Sequence, residues 1–573
     1  MGESTASAPA TGPRRVPIVG QLRSYRREWL RGDLVAGVVV AALIIPKNLG
    51  YAGIAGVPLE NGLYAAAAGA LLYAVFGSCR QISTGPSSGI AAVAGSAVLA
   101  TGLTDTGDVA TLVAGITLVS GLLFGLLAVL RMGWLSQFLS RAVVTGFLFG
   151  AAIDVVIGEL PKLTGTDAEG SNPLQELRSW ISTLGDLQAA TVVVGAVALL
   201  VVFGLHRVAP QVPGALVLLV GGLLASWALD LGDRGVALVG DIPRGLPSVD
   251  VPDVGLLLDH GATVLLAAVA LVMIGFSQTA GDARAFGAKH HYEVDIDQES
   301  VAQAAANIGA GLVHGMPVST SLSASSLNDR SGARTGLASV TSGVTVLLAL
   351  VVLAPLFSAL PKPVLAALII EAVVMGMMDV TEMRRLRAVS RVDFWVAVSA
   401  IVGTLVLGVL AGVVIGIALS LLWLVHVSTH PRISRLGQQP GTSVFRDLDD
   451  HPDDATHPGL AVLRVDGGVF FATCDVLRDR VGSVLLEAHV SSLVIHMAGV
   501  NFVDSQGAAT LSEIVRMAHD SGTDLRLAAV RPAVRDVLDR DGVTDQLGPD
   551  RLHGNLSDAV AAALAAQPGR RDG

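Results

Sequence analysis

Thr84-Gly85-Pro86-Ser87-Ser88 and, far along the same chain, Pro317-Val318-Ser319-Thr320-Ser321 each interrupt or open an apolar segment. Both read as helix starts. Proline ends a preceding helix, and serine and threonine favour the N-cap. Their hydroxyls cannot cap every free N–H of a first turn, so two such N-termini aimed at one point make an anion site from partial positive dipoles. One motif of this kind is more commonly an ordinary proline-containing loop between helices. Two in matching contexts favour the paired site.

The surroundings are those of a membrane protein. Of 573 residues, 52% are hydrophobic and only 15% are charged, with a mean hydropathy of +0.62, far from the balance of a soluble domain. Charge-free stretches long enough to span run Val109–Leu130, Val208–Leu229, Gly261–Gly281 and Thr335–Pro361. Trp395–Val425 is long enough for two shortened spans, with a turn expected near Ala411-Gly412. With segments broken by single polar residues included, the expectation is on the order of fourteen crossings. The 65 glycines suit close helix packing in lipid. Broken helices in matching positions of two repeats mark the substrate site of secondary transporters.

Arg14, Arg15, Arg23, Arg26, Arg27 and Arg31 precede the first apolar run and are expected to keep the N-terminus cytoplasmic. An even number of crossings returns the C-terminus to that side. Met1–Pro13 is expected to be disordered, with no cleavable signal peptide. The net charge of −10 argues against a nucleic-acid partner. Cys79 and Cys474 fall in different domains, and the histidines lack ligand spacing, so neither a disulfide nor a metal is expected. No nucleophile–base arrangement or nucleotide loop appears, so neither enzyme activity nor a cofactor is expected.

Beyond Pro431 the composition changes. Gln438-Gln439-Pro440-Gly441 and the acidic run Asp447–Asp454 read as a linker. Ala461–Val465, Ser492–Met497 and Leu525–Ala528 read as strands, with helices at Cys474–Ala488 and Gly507–Ser521. Such alternation implies a small α/β domain.

Asp33-Leu-Val-Ala-Gly, Ile45-Pro46-Lys47, Tyr51-Ala52, Ala55-Gly56-Val57-Pro58, Gly62-Leu63-Tyr64 and Phe76-Gly77-Ser78, followed by Arg80-Gln81-Ile82-Ser83-Thr84-Gly85-Pro86, resemble the opening signature of the SulP (sulfate permease) anion transporters. The likeness continues through Phe138-Leu-Ser-Arg141, Thr145-Gly-Phe147, Glu293-Val-Asp295, Asp297-Gln298-Glu299 and Gly332-Ala-Arg334-Thr335. The tail from Gly459 resembles the STAS domain that ends most such proteins. The resemblance implies an α-helical polytopic fold of seven plus seven inverted-repeat segments, followed by a cytoplasmic α/β STAS domain. It divides the chain into a basic N-terminal segment 1–32, a transporter domain 33–430, an acidic linker 431–458 and the STAS domain 459–567. Segments 1–4 and 8–11 would form a core that slides as an elevator against a gate of segments 5–7 and 12–14, within a homodimer in the cell membrane. The substrate would lie between the half-helix starts of segments 3 and 10. By the resemblance and the motifs together, the lining is Lys47, Tyr51, Thr84, Gly85, Ser87, Gln278, Ser319, Thr320, Ser321 and Ser323.

Two departures from the family stand out. Many members read Ser-Leu-Ser-Arg at segment 10, whereas this chain reads Ser321-Leu322-Ser323-Ala324. Where segment 1 usually has Pro-Gln, this chain has Pro46-Lys47. A lysine facing lipid would cost about 2.5–3.5 kcal/mol, so Lys47 is read as a relocated positive charge at the site, against the alternative of snorkelling to the interface. Many bacterial relatives carry Glu-Ser on segment 8; here Gln278-Thr279 cannot bind a proton. Asp154 and Glu371, each in an uncharged run, are the candidates for coupling, or else partners in gate-domain ion pairs or hydrogen bonds. Asp282, Arg284, Lys289, Glu293, Asp295 and Glu299 read as a cytoplasmic loop with surface ion pairs.

In STAS domains that switch by phosphorylation, the modified serine sits in an Asp-Ser-Ser-Gly turn; the matching stretch here is Asp504-Ser505-Gln506-Gly507, with glutamine at that position. Ser505 is expected to cap a helix beginning near Gly507. The expected function is secondary transport of a small inorganic or carboxylate anion, with sulfate, bicarbonate, chloride and dicarboxylates all open. The coupling ion, proton or sodium, is open too, as is a cytoplasmic protein partner at the STAS domain. The alternative is a membrane-anchored STAS signalling module with a sensor-like transport core. A nucleobase permease of the same fold is disfavoured by the STAS domain and by the Arg80–Pro86 motif.

Overall fold

The computed structural model describes residues 16–133, 140–168, 173–209, 212–240 and 245–567. Met1–Pro13, Arg14, Arg15 and Phe138 lie outside them. The chain divides into two compact units, Met1–Ser420 and Leu421–Gly573.

The first unit is helical, and two sets of seven segments follow one another. The first set is α1 (Leu30–Ala55), α2 (Leu59–Phe76), α3 (Ser88–Thr101), α4 (Thr106–Val129), α5 (Arg141–Thr164), α6 (Ala189–Val208) and α7 (Gly214–Leu229). The second is α8 (Gly261–His290), α9 (Ile296–Leu312), α10 (Leu322–Arg330), α11 (Leu337–Phe357), α12 (Lys362–Met377), α13 (Arg391–Leu407) and α14 (Val409–Thr429), whose last turns fall in the second unit. The third member of each set is short. The 14 residues of α3 and 9 of α10 reach only about 21 and 14 Å at 1.5 Å per residue, too little to cross a hydrocarbon core of about 30 Å. Before each lies a two-residue strand, β1 (Thr84–Gly85) and β2 (Ser319–Thr320).

Three expected boundaries move. The run Val208–Leu229 is not one helix, because α6 ends at Val208 and α7 begins at Gly214. The break in Trp395–Val425 falls at Gly408, not at Ala411-Gly412: a φ of 91° suits glycine there. The transporter domain, expected from residue 33, opens with helix α1 at Leu30.

Small residues set the helix spacing. A Cβ on Gly121 of α4 would lie 2.7 Å from the Ile308 nitrogen of α9, and one on Gly146 of α5 2.4 Å from the Ala397 carbonyl oxygen of α13. These backbones touch directly, as lipid-embedded helices do when dispersion and packing replace the hydrophobic effect. Outward residues such as Val193, Leu200, Leu224 and Trp227 are apolar and exposed, as a hydrocarbon solvent requires.

The second unit is a six-stranded sheet in the order β4-β3-β5-β6-β7-β8. Its strands are β3 (Arg432–Gln438), β4 (Phe445–Asp447), β5 (Leu460–Asp466), β6 (Ser492–Gly499), β7 (Asp524–Ala528) and β8 (Leu552–His553). The last four are parallel. Parallel strands buried on both faces read as continuous apolar runs. Leu463, Leu493 and Ile495 pack on one side with α15 (Cys474–Leu485) and α16 (Ser505–Asp520), while Val462 and Val494 meet α17 (Leu556–Ala566) on the other.

The expected linker 431–458 is instead part of this sheet. Strand β3 pairs antiparallel with both β5 and β4. The acidic run does not repel itself open because arginines on the same strands answer it. Arg446 grips Asp454 through Nε at 2.9 Å and a second nitrogen at 2.5 Å, and Arg432 reaches Asp447 at 2.9 Å.

Candidate functional site

Strands β1 and β2 pair antiparallel, Thr84 opposite Thr320 and Gly85 opposite Ser319. Since the chain runs oppositely through the two, α3 and α10 leave the crossing in opposite directions, and both N-termini stay beside it. Ser87 is the N-cap of α3 yet makes no capping bond. Its hydroxyl is unpartnered. At α10 the Ser321 hydroxyl accepts from the Ala324 N–H at a long 3.4 Å.

A cavity of about 20 Å³ lies between these two starts and α1. Lys47, Asn48 and Tyr51 line it from α1, where Pro46 interrupts the backbone ladder one residue earlier. Thr84 and Gly85 of β1 contribute with their neighbours Ser83 and Pro86, and the start of α10 contributes Ser321, Ser323 and Ala324. Lys47 makes no ion pair among the described residues. Of the residues expected at the site, Lys47, Tyr51, Thr84, Gly85, Ser321 and Ser323 are brought together here. Gln278, Ser319 and Thr320 stand behind it: Ser319 donates to Gln278 Oε1 at 3.3 Å, and Thr320 donates to Asp282 Oδ2 at 2.9 Å. Ser87 sits at the helix start but off the cavity lining.

The loops that carry these residues are clamped by side chains from distant stretches. Fully buried Glu299 accepts from the backbone N–H groups of Ser78 and Cys79 at 2.8 and 3.0 Å, from Ser78 Oγ at 2.6 Å, and from the Tyr73 hydroxyl. Asn307 holds Val318 in both directions, donating to its carbonyl at 2.9 Å and accepting from its N–H at 3.0 Å. Asp33 accepts from the N–H groups of Arg334 and Thr335 ahead of α11. Asp282 and Glu299 are thus not surface-loop residues, as expected from their charged neighbours. Helix α8 runs on through His290, which makes Asp282 helical, and the backbone donors around Glu299 replace a cationic partner. Arg284 and Lys289 are likewise on α8, Lys289 with the expected kind of ion pair, to Asp329 at 2.6 Å, while Glu293 and Asp295 do lie exposed in the loop that follows.

The two coupling candidates separate in space. Asp154 on α5 has Glu176 as its charged neighbour. Glu371 on α12 is buried, within electrostatic reach of Tyr51, and its Oε2 is unpartnered. The α5 ion pair is Glu159 with Lys162, at 2.7 Å. Asn48, which sequence inspection passed over, is 1% exposed and its amide nitrogen is unpartnered; the signal available was a carboxamide next to Lys47 in an apolar run.

In the second unit Asp504, not Ser505, caps α16. Its Oδ1 accepts from the Gly507 N–H at 2.7 Å and its Oδ2 from the Phe471 N–H at 3.0 Å. The helix starts two residues earlier than expected, which leaves Ser505 exposed at its first position.

The sulfate permease family model matches residues 30–400, and the STAS domain model residues 451–563. A probable sulfate transporter of Mycobacterium tuberculosis is 33% identical over 95% of this chain and 97% of its own. Chloroplastic sulfate transporter 4.1 of Arabidopsis thaliana is 29% identical over 96% of this chain and 82% of its own. In fold, murine Solute Carrier 26 family member A9, an anion transporter solved in an inward-facing state, superimposes with a TM-score of 0.87 at 20% identity, covering 98% of this chain and 96% of that one. The transmembrane domain of the cyanobacterial bicarbonate transporter BicA gives 0.59 at 21% identity, over 68% of this chain and 98% of its own. With paired half-helices in a seven-plus-seven membrane fold and a family match across most of its length, this chain belongs to the sulfate permease family of anion transporters and carries a C-terminal STAS domain.

Proposed function

We propose that this protein is a secondary active transporter of a small oxyanion, with sulfate or bicarbonate the first substrates to test, held where the α3 and α10 N-termini meet α1. The observation that carries this is the cavity itself, in which two poorly capped helix starts face an unpaired lysine. Uncapped N–H groups and a lone ammonium in one small space are complementary to an anion and to little else. The names of the relatives, sulfate and bicarbonate transporters, agree in chemical class.

Movement is proposed as an elevator in a homodimer of the cell membrane: α1–α4 and α8–α11 carry the site past α5–α7 and α12–α14. Glu371 on α12, in the gate set, is within electrostatic reach of Tyr51 on α1, which lines the cavity in the carrier set. Glu371 is accordingly the proposed proton-coupling group, in preference to Asp154. The arginines before α1 support a cytoplasmic N-terminus, and an even number of crossings would put the STAS domain on the same side, as a docking or dimer-supporting element.

Uptake into proteoliposomes, measured for sulfate, bicarbonate, chloride and a dicarboxylate under imposed proton and sodium gradients, tests this directly. Accumulation of one oxyanion against its gradient supports it; folded protein that moves none of them refutes it.

A further inference from the structure

We propose that the Asn48 carboxamide donates a hydrogen bond to the bound anion, and that with Lys47 it selects an anion carrying several oxygens over a halide. This rests on the anion-site reading above. Asn48 lines the cavity, is 1% exposed, and its Nδ2 has no hydrogen-bond partner. Buried amide donors are nearly always satisfied, and one left open toward a cavity marks a place where a ligand completes the bonding.

The surroundings hold Asn48 in place. Its backbone carbonyl packs against α2 so closely that a Cβ on Gly62 would lie 2.3 Å away. The α1 backbone is thereby held against α2 at the residue whose side chain lines the cavity. Lys47 and Asn48 are consecutive on α1, so their side chains leave the axis about 100° apart and reach the cavity from different directions. From the other side come the Ser321 and Ser323 hydroxyls and the start of α3.

Donors that converge from separate directions match an anion whose acceptor atoms also point in separate directions. Sulfate offers four oxygens, each able to accept, whereas chloride is one sphere that must sit close to some donors and away from others. A neutral amide adds a direction of recognition without adding a second full charge. The oxyanion is then distinguished by geometry, and a site meant to release its cargo is spared a deeper electrostatic well.

The test is equilibrium binding of radiolabelled sulfate to the purified full-length protein in detergent, with unlabelled chloride as competitor, for wild type, Asn48→Ala, Asn48→Ser and Asn48→Asp. Thermal melting and gel filtration establish that each variant is folded. The expected result is a loss of sulfate affinity of tenfold or more in Asn48→Ala, partial recovery in Asn48→Ser, which restores a short donor, and no measurable sulfate binding in Asn48→Asp. Chloride affinity is expected to change less than threefold in Asn48→Ala. Sulfate affinity within twofold of wild type in folded Asn48→Ala overturns the proposal, and equal losses for sulfate and chloride overturn the assigned selectivity. Folded wild type that binds neither anion overturns the anion-site reading beneath it, an outcome distinct from a variant that binds like wild type.

Discussion

Thr84 and Thr320, on the two short strands that cross at the site, face each other in antiparallel register. Each is held from behind by a different helix. Thr84 accepts from Gln303 of α9 at 3.4 Å, and Thr320 donates to Asp282 of α8 at 2.9 Å. The crossing is therefore a braced platform, from which two helix N-termini are presented to one cavity.

Lys47 lines that cavity and is its proposed positive charge. Replacing it with glutamine is expected to weaken sulfate binding by about 1–2 kcal/mol, the scale of one charge-assisted hydrogen bond. The loss should shrink as salt rises, since a partly solvated charge is screened. Calorimetric titration at two ionic strengths measures both; unchanged affinity would put Lys47 outside the site.

Ser323 is exposed and borders the cavity. Ser323→Phe should fill the space and abolish sulfate uptake, with a melting temperature close to wild type because no buried contact is lost. Uptake that survives this substitution would move the binding position away from the α10 start.

Glu371→Gln should leave sulfate binding largely intact and abolish the acceleration of uptake by an acid exterior, since the amide cannot carry a proton. Asp154→Asn, whose charged neighbour is Glu176, should retain that acceleration. Proteoliposome uptake at a series of external pH values separates the two, and the reverse pattern would make Asp154 the coupling group.

The Arg446 guanidinium holds the Asp454 carboxyl below the usual carboxylate range. A depressed folded-state value stabilises the domain at pH above the ordinary aspartate value of about 3.9, and that contribution is lost as pH falls through the lower folded value. Arg446→Gln should therefore lower the STAS melting temperature at neutral pH, and the gap from wild type should close under strong acid. A gap independent of pH would mean that the pair acts only by packing.

Asp504→Ala should destabilise the STAS domain by about 1 kcal/mol, the typical worth of an N-cap, and more where the Phe471 N–H is left unpaired. Ser505→Ala should change little. Chemical denaturation of the full-length variants gives the comparison, and equal effects would restore Ser505 as a cap.

The half-helix starts were legible in the chain because proline, glycine and hydroxyl residues act locally: Pro86 and Ser87 stop and start a helix wherever they sit. The spans were legible because hydrocarbon demands long uncharged runs, and the strands Ala461–Val465 and Ser492–Met497 because burial on both faces demands apolar ones. The acidic stretch Asp447–Asp454 was misread because Arg432 meets it only once β3 pairs with β4, and the chain must fold back on itself for Arg446 to reach Asp454. Glu299 looked like a surface charge for the same reason, since its partners at Ser78 and Cys79 are more than two hundred positions away. Which of Asp154 and Glu371 comes within electrostatic reach of Tyr51, and that the Asn48 amide opens on the cavity, followed only from the packing of helices. Local chemistry sets where a chain turns and what it can bury; which polar groups meet is decided by contacts between residues far apart in sequence, and those exist only in the folded molecule.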